Sequence, residues 1–488
     1  MTSPLRKYTQ LVLAASVLLV GGCASMSGLA PSSSLRDANR VAADRSLEGV
    51  ALSNAAWPTR DWWKAFRDPQ LDALIDEALR ESPTLDVAAA RMRKALATAE
   101  ASKAALAPRV DASAASTRER FSANGLVPPP IGGTTRTINE LQATLSWDLD
   151  LFGEHRAAYE SAVGVARAAE VDVYAARLAL STAIAQAYVQ LLRANLQHDV
   201  ALRALAERER IYSLTRDRNR AGLDSMLEVR QSESALPATR ETIAQLEEEI
   251  VLACNEIAAL LGAGPDRGRE IARPNANTLA PIALPATLPA ELLGRRPDLV
   301  AQRWRIEAAT KDIASAKSQF YPNVNLIAFV GLQSLGASNL LTAASRMVGA
   351  GPAVTLPIFD AGRLRANLAA RDADYDIAVG QYNQMLADAM RDVVDQVASL
   401  KSVDAQRQQQ VDAMATARDA YELALVRYRE GLGNYLQVLA AEQALLAQES
   451  LDADLRARNL SLAISLFRAL GGGYEPTMAL AHDDKGTR

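Results

Sequence analysis

Residues 140–151 read Glu-Leu-Gln-Ala-Thr-Leu-Ser-Trp-Asp-Leu-Asp-Leu. Every odd position (Leu141, Ala143, Leu145, Trp147, Leu149, Leu151) is apolar, and every even one (Glu140, Gln142, Thr144, Ser146, Asp148, Asp150) is polar. Alternation with period two is the pattern of a strand with two unlike faces. It returns in Asn323 to Gln333, with Val324, Leu326, Ala328, Val330 and Leu332, and in Val348 to Ile358, with Val348, Ala350, Val354, Leu356 and Ile358. Val110 to Glu119 alternates weakly with small residues. The four segments pair as two hairpins, with loops 120–137 and 334–347. Each is about the 9–11 residues that cross a bilayer when tilted. A membrane sheet cannot leave edges open to lipid, and the smallest membrane barrels need about eight strands. Four strands per chain therefore imply a barrel shared between copies: eight strands from two, twelve from three, sixteen from four.

Outward from the strands the chain repeats at an offset of about 210 residues. Asp150-Leu151-Phe152-Gly153 is answered by Pro357-Ile358-Phe359-Asp360-Ala361-Gly362, and Arg220 to Val229 by Arg429 to Val438. Leu261-Gly262 is answered by Leu470-Gly471. The runs 154–219 and 363–430 lack Pro, and each is long enough for a helix of ~100 Å. Seam residues recur at three- and four-residue spacing in Leu386, Met390, Val393, Val397 and Leu400. The returning helices, 223–261 and 432–470, are ~58 Å long, and the segments 84–107 and 297–320 that precede the strands add ~36 Å. In both copies the two pieces laid end to end match the long helix. Pro237 sits inside a returning helix and is expected to kink or break it.

The composition is 49 % hydrophobic but only 5 % aromatic, with a net charge of −4. Apolar content made mostly of Ala, Leu and Val suits close-packed helices. Interspersed charges leave no basic patch for nucleic acid. Arg6 and Lys7 precede a short apolar run, Leu11 to Val20, too short to span a bilayer, and the stretch ends in Val20-Gly21-Gly22-Cys23. This is read as a signal peptide, 1–22, whose end resembles the bacterial lipobox. Cys23 is then the lipidated first residue of the mature chain, anchored by buried methylenes. Ala24 in place of Asp favours the outer membrane, by resemblance to other bacterial lipoproteins. Cys254 is read as a small core residue.

The motifs carry a family resemblance. Trp62 to Leu71 (Trp-Trp-Lys-Ala-Phe-Arg-Asp-Pro-Gln-Leu), Arg296-Pro297-Asp298-Leu299, Tyr321-Pro322, Asp150 to Gly153 and Phe359 to Arg363 resemble outer membrane factors of the TolC type. The lipobox points to the lipoprotein branch that serves resistance-nodulation-division efflux. The resemblance covers about 57–472. It implies a homotrimer with a twelve-stranded transmembrane barrel and a helical tunnel into the periplasm. It further implies a periplasmic adaptor and an inner-membrane pump as partners, alongside outer-membrane lipid. By the same resemblance the tips dock the adaptor through Arg220, Gly222, Leu223, Asp224, Arg429, Gly431, Leu432 and Gly433. Leu436 matches an apolar constriction ring. Several relatives have Asp four residues further on, where this chain has Ala440, so Asp224, Glu228 and Tyr435 are the remaining constriction candidates.

The expected fold is mainly α with a small β part. The expected segments are a signal peptide 1–22 and an acylated linker 23–56; a first repeat 57–264, with strands about 109–120 and 138–152; a linker 265–290; a second repeat 291–472, with strands about 322–333 and 347–359; and a C-terminal tail 473–488, the stretch Gly471 to Arg488 being expected to be loosely ordered. The expected function is the outer exit duct of a small-molecule efflux system. The alternatives are the duct of a type I protein secretion system and a non-conducting lipid-anchored spacer. Three histidines far apart (His155, His198, His482), without a nucleophile, phosphate-loop or metal-ligand motif, argue against catalysis and against any cofactor.

Overall fold

The alternating segments form one antiparallel sheet. The computed structural model describes residues 25–37, 41, 57–275 and 294–475, with the backbone alone of 52–53 and 284–285. It divides into two units, one of residues 1–35, 91–169 and 302–382, the other of 36–90, 170–301 and 383–488.

The first unit holds the sheet: β1 (Arg109–Arg120), β2 (Thr135–Asp148), β3 (Asn323–Leu335) and β4 (Arg346–Thr355), in the order β1-β2-β3-β4. Its register collects the apolar positions on one face. Leu141 lies opposite Ala114 and Leu332, Leu145 opposite Val110 and Ala328, and Trp147 opposite Leu326. Val330 and Val324 lie opposite Val348 and Val354. A slip of one residue would exchange this face with the polar one, so the pattern fixes the register. Pro352, which has no donor for the ladder, sits on the edge strand β4.

β2 ends at Asp148 and β4 at Thr355, several residues short of the ends expected at 152 and 359. In both cases the next residues are taken up by a helix cap. Asp150 accepts from the backbone N–H of His155 (2.9 Å) and Arg156 (2.8 Å), and Asp360 from Gly362 (3.0 Å) and Leu364 (2.8 Å). In each copy an Asp just ahead of the glycine, at a position one residue different between the copies, therefore caps the long helix where the strand ends.

Seven helices of more than ten residues follow in the described chain: α1 (Pro69–Glu81), α2 (Pro83–Ala104), α3 (Glu154–Arg220), α4 (Met226–Leu261), α5 (Pro297–Ser318), α6 (Arg363–Arg429) and α7 (Tyr435–Ala469). The two long ones have 67 residues each. α4 and α7 start three residues later than expected because Ser225 and Asn434 act as N-caps, Ser225 within a reciprocal box with Glu228. α4 runs unbroken through Pro237. That residue faces solvent, so water can take up the carbonyl that Pro leaves unpaired.

In the first unit, Ile313 and Ala316 of α5, with Phe320 in the turn just after it, pack on Leu364 and Leu368 of α6, with Met26, Leu29 and Tyr375 against them. In the second, the long helix of one repeat packs on the returning helix of the other. Gln186 of α3 exchanges hydrogen bonds with Ser461 of α7, and Arg193 pairs with Asp454 at 2.7 Å.

The same unit holds structure that the sequence pattern did not reveal. Trp62–Phe66 form a 3-10 turn whose Trp62 stacks on Phe467 while Phe66 meets the same ring edge-on. α1 follows, capped by Asp68, which also accepts from the Tyr188 hydroxyl at 2.8 Å. The chain end corrects the expectation of loose order at Gly471–Tyr474. All three glycines have positive φ, Tyr474 is buried, and a Cβ on Gly473 would meet the Thr59 carbonyl carbon at 2.2 Å. Residues 476–488 lie outside the described residues.

Candidate functional site: the hairpin tips and the bare sheet

The tips are built twice. α3 ends at Arg220 and α6 at Arg429, and each chain reversal uses a glycine with positive φ, Gly222 at 74° and Gly431 at 75°. An L side chain is strained there. The N–H of Leu223 returns to the Arg218 carbonyl and that of Leu432 to the Arg427 carbonyl, closing the helix ends. Leu223, Met226, Leu227 and Leu432 are exposed, as are the side chains of Arg220 and Arg429. Arg220 pairs with Asp217 at 3.1 Å. A Cβ on Gly433 would meet Gln437 Oε1 at 3.0 Å and Arg427 Cβ at 3.4 Å.

Asp224 does not join this exposed set. Its side chain is 9 % exposed and that of its partner Arg218 10 % exposed, with the guanidinium 3.0 Å from the carboxylate. Arg218 also lies over the Tyr428 ring, 4.5 Å from its centroid, and donates to the Arg429 carbonyl. The Tyr428 hydroxyl donates to Asp224 and lies 3.3 Å from Thr215 Oγ1. Burial and the carboxylate push the Tyr428 phenol up to about 12. Asp224 of the first tip therefore locks to the second tip and is not presented to solvent, which corrects its expected place on the docking and constriction surfaces. Tyr435 is likewise turned inward, 3 % exposed in a cluster with Ile211, Tyr421, Leu425, Tyr428 and Val438. Glu228 is half-buried and occupied by its capping box, and those hydrogen bonds hold its carboxyl below the usual range. Leu436 is 57 % exposed and remains free to project from the tip.

Deeper along the hairpins, Arg208 donates to Glu442 at 2.8 Å and to Thr239, while Tyr421 donates to Glu207 at 2.8 Å. Burial raises the Glu442 carboxyl despite Arg208. The sequence reading missed Arg218, Tyr428, Arg208 and Glu442. Arg218 meets Asp224 across the turn that follows its own helix, while Tyr428, Arg208 and Glu442 find their partners in other helices or in the other tip, where no local spacing encodes them.

The second functional surface is the sheet. Its apolar face is uncovered: Val110, Val330, Val348 and Val354 are exposed, Val348 by 82 %. The opposite face carries Glu140, Gln142 and Thr144. Among the described residues no helix is long and apolar enough to cross a membrane, and no group of His, Cys, Asp or Glu could hold a metal ion. Cys23 lies outside the described residues. Cys254 is half-buried, and burial pushes its thiol up.

A sheet with one bare apolar face, joined to long helical hairpins, defines an envelope channel of mixed strand and helix. The profile of outer membrane efflux proteins matches residues 74–263 and 288–472, and the chain belongs to that family. It is 39 % identical over 377 residues to the fusaric acid resistance protein FusA of Burkholderia cepacia, covering 76 % of this chain and 71 % of the relative. It is 32 % identical to the multidrug resistance outer membrane protein MdtP of Escherichia coli K12, covering 96 % and 98 %. Among solved structures, the outer membrane protein VceC of Vibrio cholerae superposes with a TM-score of 0.80 at 35 % identity, covering 86 % of this chain and all of that one. The chain is an outer-membrane efflux channel, with a large part of its mass in the periplasm.

Proposed function

We propose that three copies of the chain close their sheets into one twelve-stranded barrel and form the passive exit duct of a tripartite small-molecule efflux system. The observation that carries this reading is the sheet itself. β1 and β4 have no neighbour among the described residues on their outer edges, and the apolar face has no cover. In lipid, unpaired backbone groups cost several kcal/mol each, so open edges must pair with other copies. Three copies give twelve strands, above the minimum of about eight. The polar face then lines the lumen.

Cys23 carries the lipid anchor. The exposed tip residues Arg220, Gly222, Leu223, Arg429, Gly431 and Leu432, with the half-buried Gly433, receive a periplasmic adaptor, which joins the duct to a resistance-nodulation-division pump. Leu436 forms the apolar constriction. The duct does no chemistry of its own. Substrate choice resides upstream, and the likeness to a fusaric acid resistance protein supports a small, drug-like cargo over a secreted protein. The test is the mass of the detergent-solubilised oligomer together with its conductance in a planar bilayer. A trimer that conducts supports the duct. A monomer, or a trimer without conductance, refutes it and favours a spacer.

A further inference from the structure

The earliest described residues do not hang free. Ser25–Leu35 belong to the same unit as the start of α6. Arg365 donates to the carbonyls of Ser25 and Ser27, the latter at 3.2 Å. One turn of chain, Leu29 N–H to Met26 carbonyl, tucks Met26 and Leu29 against Leu364, Leu368 and Tyr375. Asp376 then accepts three different donors: Ser32 N–H (3.0 Å), Ser32 Oγ (2.6 Å) and Ser33 N–H (2.7 Å).

The spacing agrees with a segment lying lengthwise on the helix. Arg365 to Asp376 is eleven helical residues, or ~16 Å. Ser25 to Ser32 is seven residues, at most ~23 Å when extended and less with the Met26–Leu29 turn. Going around α6 at about 100° per residue, Arg365 and Asp376 fall within about 20° of each other, and the apolar seat of Leu364, Leu368 and Tyr375 lies beside them. Both ends and the middle of the segment therefore meet one stripe of one helix.

We infer that Ser25–Ser33 is a strap clasped to α6 by Asp376, and that this clasp fixes the chain's lipid anchor beside the sheet end of α6. The inference rests on the proposed acylation of Cys23, which stands two residues before Ser25. Because α6 begins at Arg363, only eight residues after the last residue of β4, an anchor held at Arg365 enters the same membrane surface that the sheet leaves. Asp376 is thus a positioning residue: it touches no cargo, and it acts through the strap. Its three bonds also hold its carboxyl below the usual range, so the clasp persists in mild acid.

The test uses the full, membrane-inserted chain in a Cys254→Ala background with a nitroxide on Ser27→Cys. Ser27 contributes only its backbone carbonyl to α6. In the parent the label is immobilised. Asp376→Ala is expected to make it mobile, to raise protease cleavage within the strap at least tenfold and to change the label's depth in the bilayer. Asp376→Asn, which keeps one acceptor oxygen, restores part of the order. Asp374→Ala, which removes the neighbouring carboxylate paired with Arg371, leaves the label as in the parent. A mobile label in the parent, or an equally immobile one in Asp376→Ala, overturns the clasp. The mass of the N-terminal peptide reports acylation separately: an immobile label on an unacylated chain overturns the anchor and leaves the clasp standing.

Discussion

Replacing Asp224 by Ala should unlock the two tips from each other without unfolding the chain. At 3.0 Å and an effective dielectric of about 20, the Arg218–Asp224 attraction is gross ~5 kcal/mol. Much of this is cancelled by desolvation, since both side chains are nine-tenths buried. What the substitution exposes is the other cost: Arg218 is left buried without its carboxylate, typically ~3–5 kcal/mol for a fully buried pair. Arg218 keeps the Tyr428 ring and the Arg429 carbonyl, so ~2–3 kcal/mol is the working figure. That is about a 30- to 150-fold rise in local opening. The measure is hydrogen exchange of the amides in 218–228 and 427–435 in the detergent-solubilised oligomer. Asp224→Asn should cost less, ~1–2 kcal/mol, and Tyr428→Phe ~1 kcal/mol. Because both act on one network, the double variant should fall short of the sum. Tip protection equal to the parent in Asp224→Ala, or strict additivity, refutes the reading of a single lock. Single-channel conductance of the same variant adds a functional readout: a lock that restrains the tips predicts a more conductive channel.

Leu436→Ala should raise conductance if this side chain forms the apolar ring, and an unchanged channel counts against that role. Gly473→Ala places a Cβ within 2.2 Å of the Thr59 backbone at a positive φ; it should cost ~2 kcal/mol or more, read as a lowered Tm of the purified oligomer, and a parental Tm would show the strap of glycines to be idle. Asp298 is half-buried, and Arg296 and the Leu299 N–H hold its carboxyl below the usual range despite partial desolvation. Its folded pKa is depressed, so its stabilising contribution is present above the ordinary carboxylate range and is lost as pH falls through the folded value. Asp298→Asn should therefore flatten the acid limb of the stability curve, and an acid limb identical to the parent's refutes this. Cys23→Ser should yield an N-terminal peptide without acyl mass, and an unchanged mass would show the anchor to lie elsewhere.

The parts of the fold that were legible are those written in local periods. Alternation in residues 140–151 revealed the strands because the sheet has two unlike faces, and the register that aligns Leu141 with Leu332 follows from it. The Pro-free runs revealed α3 and α6 because nothing in them interrupts the backbone ladder. The boundaries were displaced wherever a side chain captures a backbone donor: Ser225 and Asn434 delay α4 and α7, while Asp150 and Asp360 shorten β2 and β4. α1 carried a readable signal, Asp68 followed by Pro69, the pairing of an N-cap with a first-turn proline. The lock at the tips carried little: Arg218 and Asp224 are six residues apart across a turn, but Tyr428, which joins them from the other tip, is 204 residues from Asp224.

The tip lock also changes what the repeat signifies. Two copies that merely lay side by side would each satisfy their own termini. Here Asp224, the residue that breaks the correspondence with Gly433, holds Arg218 of its own hairpin and Tyr428 of the other copy. The second copy keeps Gly433 at that place and bonds Arg427 to its own Leu432 carbonyl. The duplication therefore supplies two hairpins of matched length, and the divergence between them supplies the one-sided bond that couples them. A tip built of two identical copies would keep the glycine turns and lose the lock, so adding Asp at Gly433 should not create a second one: no tyrosine of the first copy stands where Tyr428 stands in the second, since that position is Asn219.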